Sequence, residues 1–394
     1  MPNHWRAFWG FVMIEPRLLR GDCVEVLRGL AENSVDAVVT DPPYGLAFMG
    51  KKWDYDVPGV EVWRECLRVL KPGGYLLAFA GTRTQHRMAV NIEDAGFEIR
   101  DLIAWVYGSG FPKSHDVSKA IDKAAGAERE VLDQGRSGKT AIWDKKGTMG
   151  SFDITAPATE AAKQWEGWGT ALKPALEPIT VARKPFAGTI AENVLTWGTG
   201  AINVDGCRIE ANGEKTGSNG AFGFDPEKGW NQHKMSKSVC RKQSTEIGRW
   251  PANLIHDGSD EVNDHFPDDS ARFFYCPKAD KADRDAGLSR AETSAADKTN
   301  RQPGSAGINP YAGTRVPSRN NHPTVKPVAL MQYLCRLVTQ PGGVVLDPFM
   351  GSGTTGRACL AEGFGFVGIE RDPDYFDLAS ERMRRVQLPL FGGV

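Results

Sequence analysis

Four consecutive residues, Asp41, Pro42, Pro43 and Tyr44, follow directly on the apolar run VDAVVT at positions 35–40. A carboxylate, a doubly constrained backbone and an aromatic face at the end of a buried strand are the parts needed to handle an amino group attached to a heteroaromatic ring. The lone pair of such an amine is delocalised into the ring, so the nitrogen is a poor nucleophile. Two acceptors aimed at its two N–H bonds favour a tetrahedral nitrogen and localise the pair. Asp41 offers a carboxylate for this and Pro42 a main-chain carbonyl. Prolines fix φ and drive the residue before them into extended geometry, which holds that carbonyl in place. Tyr44 reads as an exposed ring for stacking, a contribution of about 1–3 kcal/mol, comparable with the few kcal/mol spent rotating a base out of a duplex. No strong base is needed, because positioning and electrostatics supply the rate. A plain turn after a buried strand could use the same four residues, so a second element must decide.

That element is the run VVLDPFMGSGTTG near the end of the chain, with Gly351, Gly353 and Gly356 in the spacing G-x-G-x-x-G. Glycines after a strand let the backbone approach a ligand, and Ser352, Thr354 and Thr355 are placed to cap the helix start, whose positive end suits anionic groups. Glu370 closes the next strand, where a carboxylate can accept hydrogen bonds from ribose hydroxyls. Taken alone, the loop fits any nucleoside cofactor, a nicotinamide dinucleotide included. The step Asp347-Pro348-Phe349 before the glycines departs from the usual dinucleotide pattern.

The elements that must carry these residues read as an α/β domain in two pieces. RLLRGD, CVEVLRGLA and VDAVVT give strand, helix and strand; EVWRECLRVL is a helix stopped by KPGG, and YLLAFAG a strand. HRMAVNIEDAGF is a helix and EIRDLIAWVY the strand after it. SKAIDKAAGAEREVL reads as a helix and EPITVARKP as a further strand. Regular character fades and returns at 321, where a helix (VALMQYLCRLV) leads into a βαβ unit too small to stand alone. It should complete the sheet begun near the N-terminus. The expected division is a leader at 1–16, a catalytic part at 17–187, an irregular target-recognition region at 188–320 and a cofactor-binding part at 321–394. The 394 residues carry a formal net charge of −1, so composition names no polyanion partner, and seven scattered cysteines without C-x-x-C spacing argue against a disulfide scaffold or structural zinc. A reducing, cytoplasmic setting without a membrane span or a metal is the expectation.

Together the two elements resemble the amino-methylating DNA methyltransferases, which transfer methyl from S-adenosylmethionine to N6 of adenine or N4 of cytosine. The resemblance implies a Rossmann-like methyltransferase sheet with helices on both faces. It makes Asp41, Pro42, Pro43 and Tyr44 catalytic, and makes Asp347, Pro348, Phe349, Gly351 and Gly353 part of the cofactor loop. Glu370 matches the ribose-binding acid and Asp22 an acid near the cofactor's adenine. NHPTVKP resembles the segment lining the methionine end, which carries over His322, Pro323, Thr324 and Lys326. The order, tetrad first and glycine loop last, is similar to the permuted β group, whose members are often dimers. Asp at the tetrad's first position is associated with adenine more often than with cytosine.

For duplex DNA as substrate, residues 228–250 hold six basic residues against Glu246, a net of +5. Lys234, Lys237, Arg241, Lys242 and Arg249 are the candidates there for phosphate and base-edge contacts. Lys113 and Ser114 follow the strand ending at Tyr107 and are candidates for the backbone of a displaced nucleotide. The resulting reading is an adenine-N6 methyltransferase acting on a flipped base in nucleoid DNA. Cytosine-N4 methylation is the alternative; a nicotinamide-dependent oxidoreductase and an inactive DNA-binding regulator are the more distant ones.

Overall fold

A computed structural model of the chain describes residues 15–46, 55–108, 110, 114–136, 151–210, 224–225, 229–230, 248–266, 270–271, 274–275, 288, 320, 322, 325–384 and 386. The chain divides into two compact units, one made of 1–108, 176–280 and 324–394, the other of 109–175 and 281–323. This partition differs from the expected one: it sets 109–175 apart from the catalytic part and joins the described residues of 188–280 to the first unit. The leader falls almost entirely outside the described residues.

Eight strands of the first unit form one sheet: β1 (Arg17–Arg20), β2 (Val35–Thr40), β3 (Leu70–Phe79), β4 (Glu98–Val106), β7 (Leu176–Arg183), β10 (Leu254–His256), β11 (Val344–Asp347) and β12 (Gly365–Glu370). Their order is β1-β12-β11-β2-β3-β7-β4-β10. The C-terminal strands therefore lie inside the sheet, β12 beside β1 and β11 beside β2, as the small βαβ unit required. Every pairing is parallel except those of β7, which runs antiparallel to β3 and β4. The two-residue strands β8 (Phe224–Asp225) and β9 (Gly229–Trp230) pair with each other.

Both faces of the sheet are covered, which is why β2 is buried along its whole length. Alternation sorts its side chains: Val38, with Leu76 of β3, packs among helices α1 (Cys23–Arg28), α2 (Val60–Val69) and α3 (Gln85–Asp94). Val39, with Leu77, packs among α8 (Val328–Val338), α9 (Thr354–Glu362) and α10 (Pro373–Arg384). The expected α/β architecture with helices on both faces is present. In α2 the buried positions Val62, Trp63, Cys66 and Val69 give the 3.6-residue stripe. Helix α6 (Ile190–Trp197) opens with a capping box between Thr189 and Glu192 and ends at Gly198 with φ 74°.

Two elements depart from the sequence reading. KPGG is not a loop between α2 and β3; the strand begins at Leu70 and runs through it, with Gly73 at φ 77° and a register shift opposite Val35–Ala37. The helix expected from residue 118 onward, α4 (Val117–Ala124), stops just before Gly126, which takes φ 64° and turns the chain toward β5 (Val131–Arg136).

The second unit holds α4, β5, the antiparallel partner β6 (Ser151–Thr155) and α5 (Glu160–Gln164), with α7 (Asp260–Asn263) lying in the first. Asp122 pins it together, accepting from Arg129 Nη1 at 2.6 Å, Ala158 N at 2.9 Å, and Thr159 N and Oγ1 at 3.0 and 2.8 Å. Burial acts to raise its carboxyl, but the Ala158 and Thr159 donors and Arg129 outweigh it and hold the group down at about 2.

In the first unit a comparable anchor stands at the opposite end of the sheet from the tetrad. Asp36, 2% exposed, accepts from Lys71 Nζ at 2.6 Å, Val344 N at 2.8 Å and Gln340 Nε2 at 3.3 Å, joining the starts of β2, β3 and β11. Asp36→Ala leaves those donors without an acceptor and is expected to cost about 2–3 kcal/mol in urea unfolding, with Asp36→Asn losing less than half as much.

Candidate active site

Four adjacent parallel strands, β1, β12, β11 and β2, deliver their carboxyl ends to one edge of the sheet, the edge where open α/β sheets bind ligands. Asp22 follows β1, Glu370 ends β12, Asp347 ends β11 and Asp41 follows β2. The tetrad and the glycine loop, far apart in the chain, are thus neighbours. Thr40 Oγ1 donates to Asp347 Oδ1 at 2.6 Å, Thr355 Oγ1 donates to Oδ2 at 2.6 Å, and Phe349 N reaches Oδ1 at 3.1 Å. Asp347 is buried, and burial pushes its carboxyl up to about 6; the hydrogen bonds pull back and the nearby Asp41 adds to the rise. Its side chain holds the loop to β2.

The loop turns on Gly351 at φ 54° and Gly353 at φ 77°, backbone that side chains rarely tolerate. Gly356 serves packing, since a Cβ there would lie 2.7 Å from Phe366 and against the Met383 sulfur. Gly353 is the N-cap residue of α9 and makes no side-chain cap bond, and the hydroxyls beside it have buried partners. Arg382, fully buried in α10, draws them inward, its Nη1 donating to Ser352 O at 2.6 Å, Ser352 Oγ at 2.9 Å and Thr354 Oγ1 at 3.3 Å. The third hydroxyl, of Thr355, is the one bound to Asp347. Glu370 accepts from Gly351 N at 2.8 Å and Asp372 N at 2.7 Å, and burial raises its carboxyl. Asp22 caps α1, accepting from Val24 N at 3.0 Å.

At the tetrad, Asp41 Oδ1 accepts from the Tyr44 hydroxyl at 2.7 Å and Oδ2 from Lys326 Nζ at 2.7 Å. A second acid joins them. Glu177 Oε2 lies 2.9 Å from the Tyr44 hydroxyl and 3.2 Å from Lys326 Nζ. The Lys326 ammonium is 3.1 Å from the Tyr44 oxygen and 4.8 Å from the centre of the Phe79 ring. Burial would lower Lys326, but the carboxylates of Asp41 and Glu177 outweigh it and hold the ammonium above its ordinary range. Burial and the same two acids push the Tyr44 phenol well up. Tyr107, just past β4, is pushed up to about 12 by burial first and then by the nearby Glu177 charge, with the Lys326 ammonium pulling back.

One expectation changes here, one residue gains an unforeseen partner and one was missed. The Tyr44 ring is half-buried, because its hydroxyl is committed to the acid pair and its carbonyl accepts from Thr84 Oγ1 at 2.6 Å. Lys326, carried over with the methionine-end segment, has Asp41 as a partner that the sequence did not suggest. Glu177 went unnoticed, although a signal existed: it is followed by Pro178, as Asp41 is by Pro42 and Asp347 by Pro348. Three acid–proline steps meet at one region of the sheet, each acid fixed in extended backbone by the proline after it.

The structure describes only some of the remaining candidates. His322 belongs to the second unit, its N–H donating to Asn320 Oδ1 at 3.0 Å, and Pro323 and Thr324 lie outside the described residues. Ser114 Oγ accepts from Thr170 N at 2.8 Å within its own unit. Lys113, Lys234, Lys237, Arg241 and Lys242 also lie outside the described residues. Arg249 pairs its backbone with Ile209, and the next residue, Trp250, is exposed beneath the Arg208 guanidinium. His256 is buried with Nε2 3.0 Å from Ala271 O and Nδ1 accepting from Gly258 N.

Residues 35–381, which span both the tetrad and the glycine loop, match the family model of DNA methylases of the N6/N4 type. The chain belongs to that family. The methylase is similar to the type II methyltransferase M.HindIII of Haemophilus influenzae, with 22% identity over 93% of this chain and 94% of the relative. To M.HinfI, from the same species, it is 42% identical over 66 residues, 17% of this chain and 18% of that one. Among solved structures, the cytosine-N4-specific PvuII DNA methyltransferase superposes with a TM-score of 0.42 at 14% identity, covering 93% of this chain and 85% of that chain. Family membership removes the oxidoreductase reading of the glycine loop.

Asp347 gives this methylase a pH signature. With its folded value raised to about 6, the folded state keeps a proton that the unfolded chain has already released, so stability rises as pH falls from about 7 toward 4. Asp347→Asn abolishes that gain: between pH 7 and 5 the wild type should gain about 1–2 kcal/mol relative to the variant in parallel urea titrations.

Proposed function

We propose that this methylase transfers methyl from S-adenosylmethionine to N6 of adenine in duplex DNA, acting on a base rotated out of the helix. The observation that carries the reading is the juxtaposition of the Asp41–Tyr44 acceptor site with the Asp347–Gly353 loop, one Thr40–Asp347 hydrogen bond apart. The loop fits the cofactor. Gly351 and Gly353 present left-handed backbone bare of side chains ahead of α9, and Glu370 offers a carboxylate to ribose hydroxyls.

The cofactor, when bound, supplies an electrophilic methyl on a sulfonium sulfur. Asp41 and the Pro42 carbonyl accept the two amino N–H bonds and orient the nitrogen pair. So oriented, the pair would be placed to take that methyl, and Asp41 would pass to solvent the one proton released by the methylated, cationic nitrogen. Tyr44, braced through its hydroxyl, offers its ring to the displaced base. The basic stretch around 228–249, within the expected target-recognition region, is assigned to holding DNA, and the β-group resemblance supports a homodimer. Adenine is preferred on the aspartate at position 41. Cytosine N4 presents two N–H bonds to the same acceptors and is the second reading.

Incubation with unmethylated genomic DNA and labelled S-adenosylmethionine, followed by mass spectrometry of the nucleosides, should yield N6-methyladenine. N4-methylcytosine as the sole product would reverse the base assignment, and no transfer would leave the DNA-binding regulator. Asp41→Ala is expected to slow transfer by about 10³-fold while S-adenosylhomocysteine binding in calorimetry stays within about threefold.

A further inference from the structure

Both carboxylate oxygens of Asp41 accept internal hydrogen bonds. One carboxylate oxygen accepts from the Tyr44 hydroxyl and the other from Lys326 Nζ, both at 2.7 Å. Each oxygen keeps a second lone pair, but an amino N–H that approaches it shares the acceptor with a donor already in place, and a buried donor displaced without a new acceptor costs about 1–3 kcal/mol. Lys326 is 7% exposed, so water does not readily take the place of the carboxylate. Glu177 removes the difficulty. Its Oε2 is 2.9 Å from the Tyr44 hydroxyl and 3.2 Å from Lys326 Nζ, so both donors already touch a second carboxylate. The phenol has one proton, which serves one acid at a time. Moving it, and the ammonium, onto Glu177 needs shifts of tenths of an ångström.

We infer that Glu177 is a positioning residue of the transfer reaction: it receives the Tyr44 hydroxyl and the Lys326 ammonium when the target amine claims Asp41. This role rests on the proposed function. It also accounts for the charge of the cluster, in which two carboxylates share one ammonium. With Lys326 drawn to Glu177, the Asp41 charge is left to face the nitrogen as that atom becomes cationic. Without Glu177, Asp41 is the remaining carboxylate partner of Lys326 among the described residues, and the ammonium stays clamped where the amine must bind. The strand supports the exchange, because Glu177 sits in the β7–β4 ladder opposite Trp105 and is held extended by Pro178.

The test is single-turnover transfer of labelled methyl to unmethylated genomic DNA, with calorimetry of S-adenosylhomocysteine and thermal melting run on each variant. Glu177→Gln is expected to slow transfer by about 10²-fold with cofactor affinity within about threefold of wild type. Adding Lys326→Met to Glu177→Gln frees Asp41 and should recover about tenfold of the loss, a coupling of opposite sign to that of a residue that merely braces the fold. Should Glu177→Gln fail to fold, Glu177→Asp, which keeps the charge but shortens the reach, is put through the same pair of measurements. Wild-type-like transfer by Glu177→Gln overturns the role, and so does a double variant no faster than the single one. Wild-type protein that transfers no methyl to DNA overturns the proposed function as well, and so separates the two failures.

Discussion

The site depends on one buried acid. Asp347 takes the Thr40 hydroxyl on one oxygen and the Thr355 hydroxyl on the other, and so ties the strand that ends in Asp41 to the loop that ends in Gly353. Thr40 and Asp347 are 307 residues apart in the chain. A buried carboxylate of this kind is costly, and its raised proton affinity records the cost. In exchange the two halves of the site have a fixed separation. Asp36 performs the complementary task at the other end of the same strands, fixing β2, β3 and β11 where they begin. The strand between these two acids is rigid because both of its ends are held.

Around Asp41 the design differs. There the acid is shared among donors that have alternatives: Tyr44 and Lys326 each reach two carboxylates. A network with a single partner for each donor would be stiffer and harder to open. Redundancy lowers the cost of exchanging one bond for another, which suits a site whose ligand must compete with internal donors. One edge of the sheet therefore combines a fixed part, which sets distances, with an exchangeable part, which meets the substrate.

Much of this was legible in the chain. The tetrad, the glycine spacing and Glu370 are local patterns, and apolar periodicity located most strands and helices of the sheet. What the patterns could not give was long-range pairing. Lys326 read as a cofactor residue by its neighbours in sequence, and its bond to Asp41, 285 positions away, had no local signature. Ser352 and Thr354 read as caps because capping is a local rule, and a buried arginine from a later helix overrode it. Glu177 lay in a strand recognised as a strand, but nothing local says that β7 runs against its neighbours. The two-unit partition was hidden for a related reason: the second unit is held by Asp122 and its scattered donors rather than by a long apolar run.

The direction of β7 has one more consequence. A parallel strand brings its last residue to the ligand edge, whereas β7, running the other way, brings its first, and both of its ladders lock that register. Successive strand residues face opposite sides of a sheet, so deleting one residue inside β7 would turn Glu177 away and present a proline or an aliphatic chain in its place. Length changes a few residues upstream, before the ladder begins, would be absorbed silently. Within this strand, the spacing of residues is as strongly constrained as their identity.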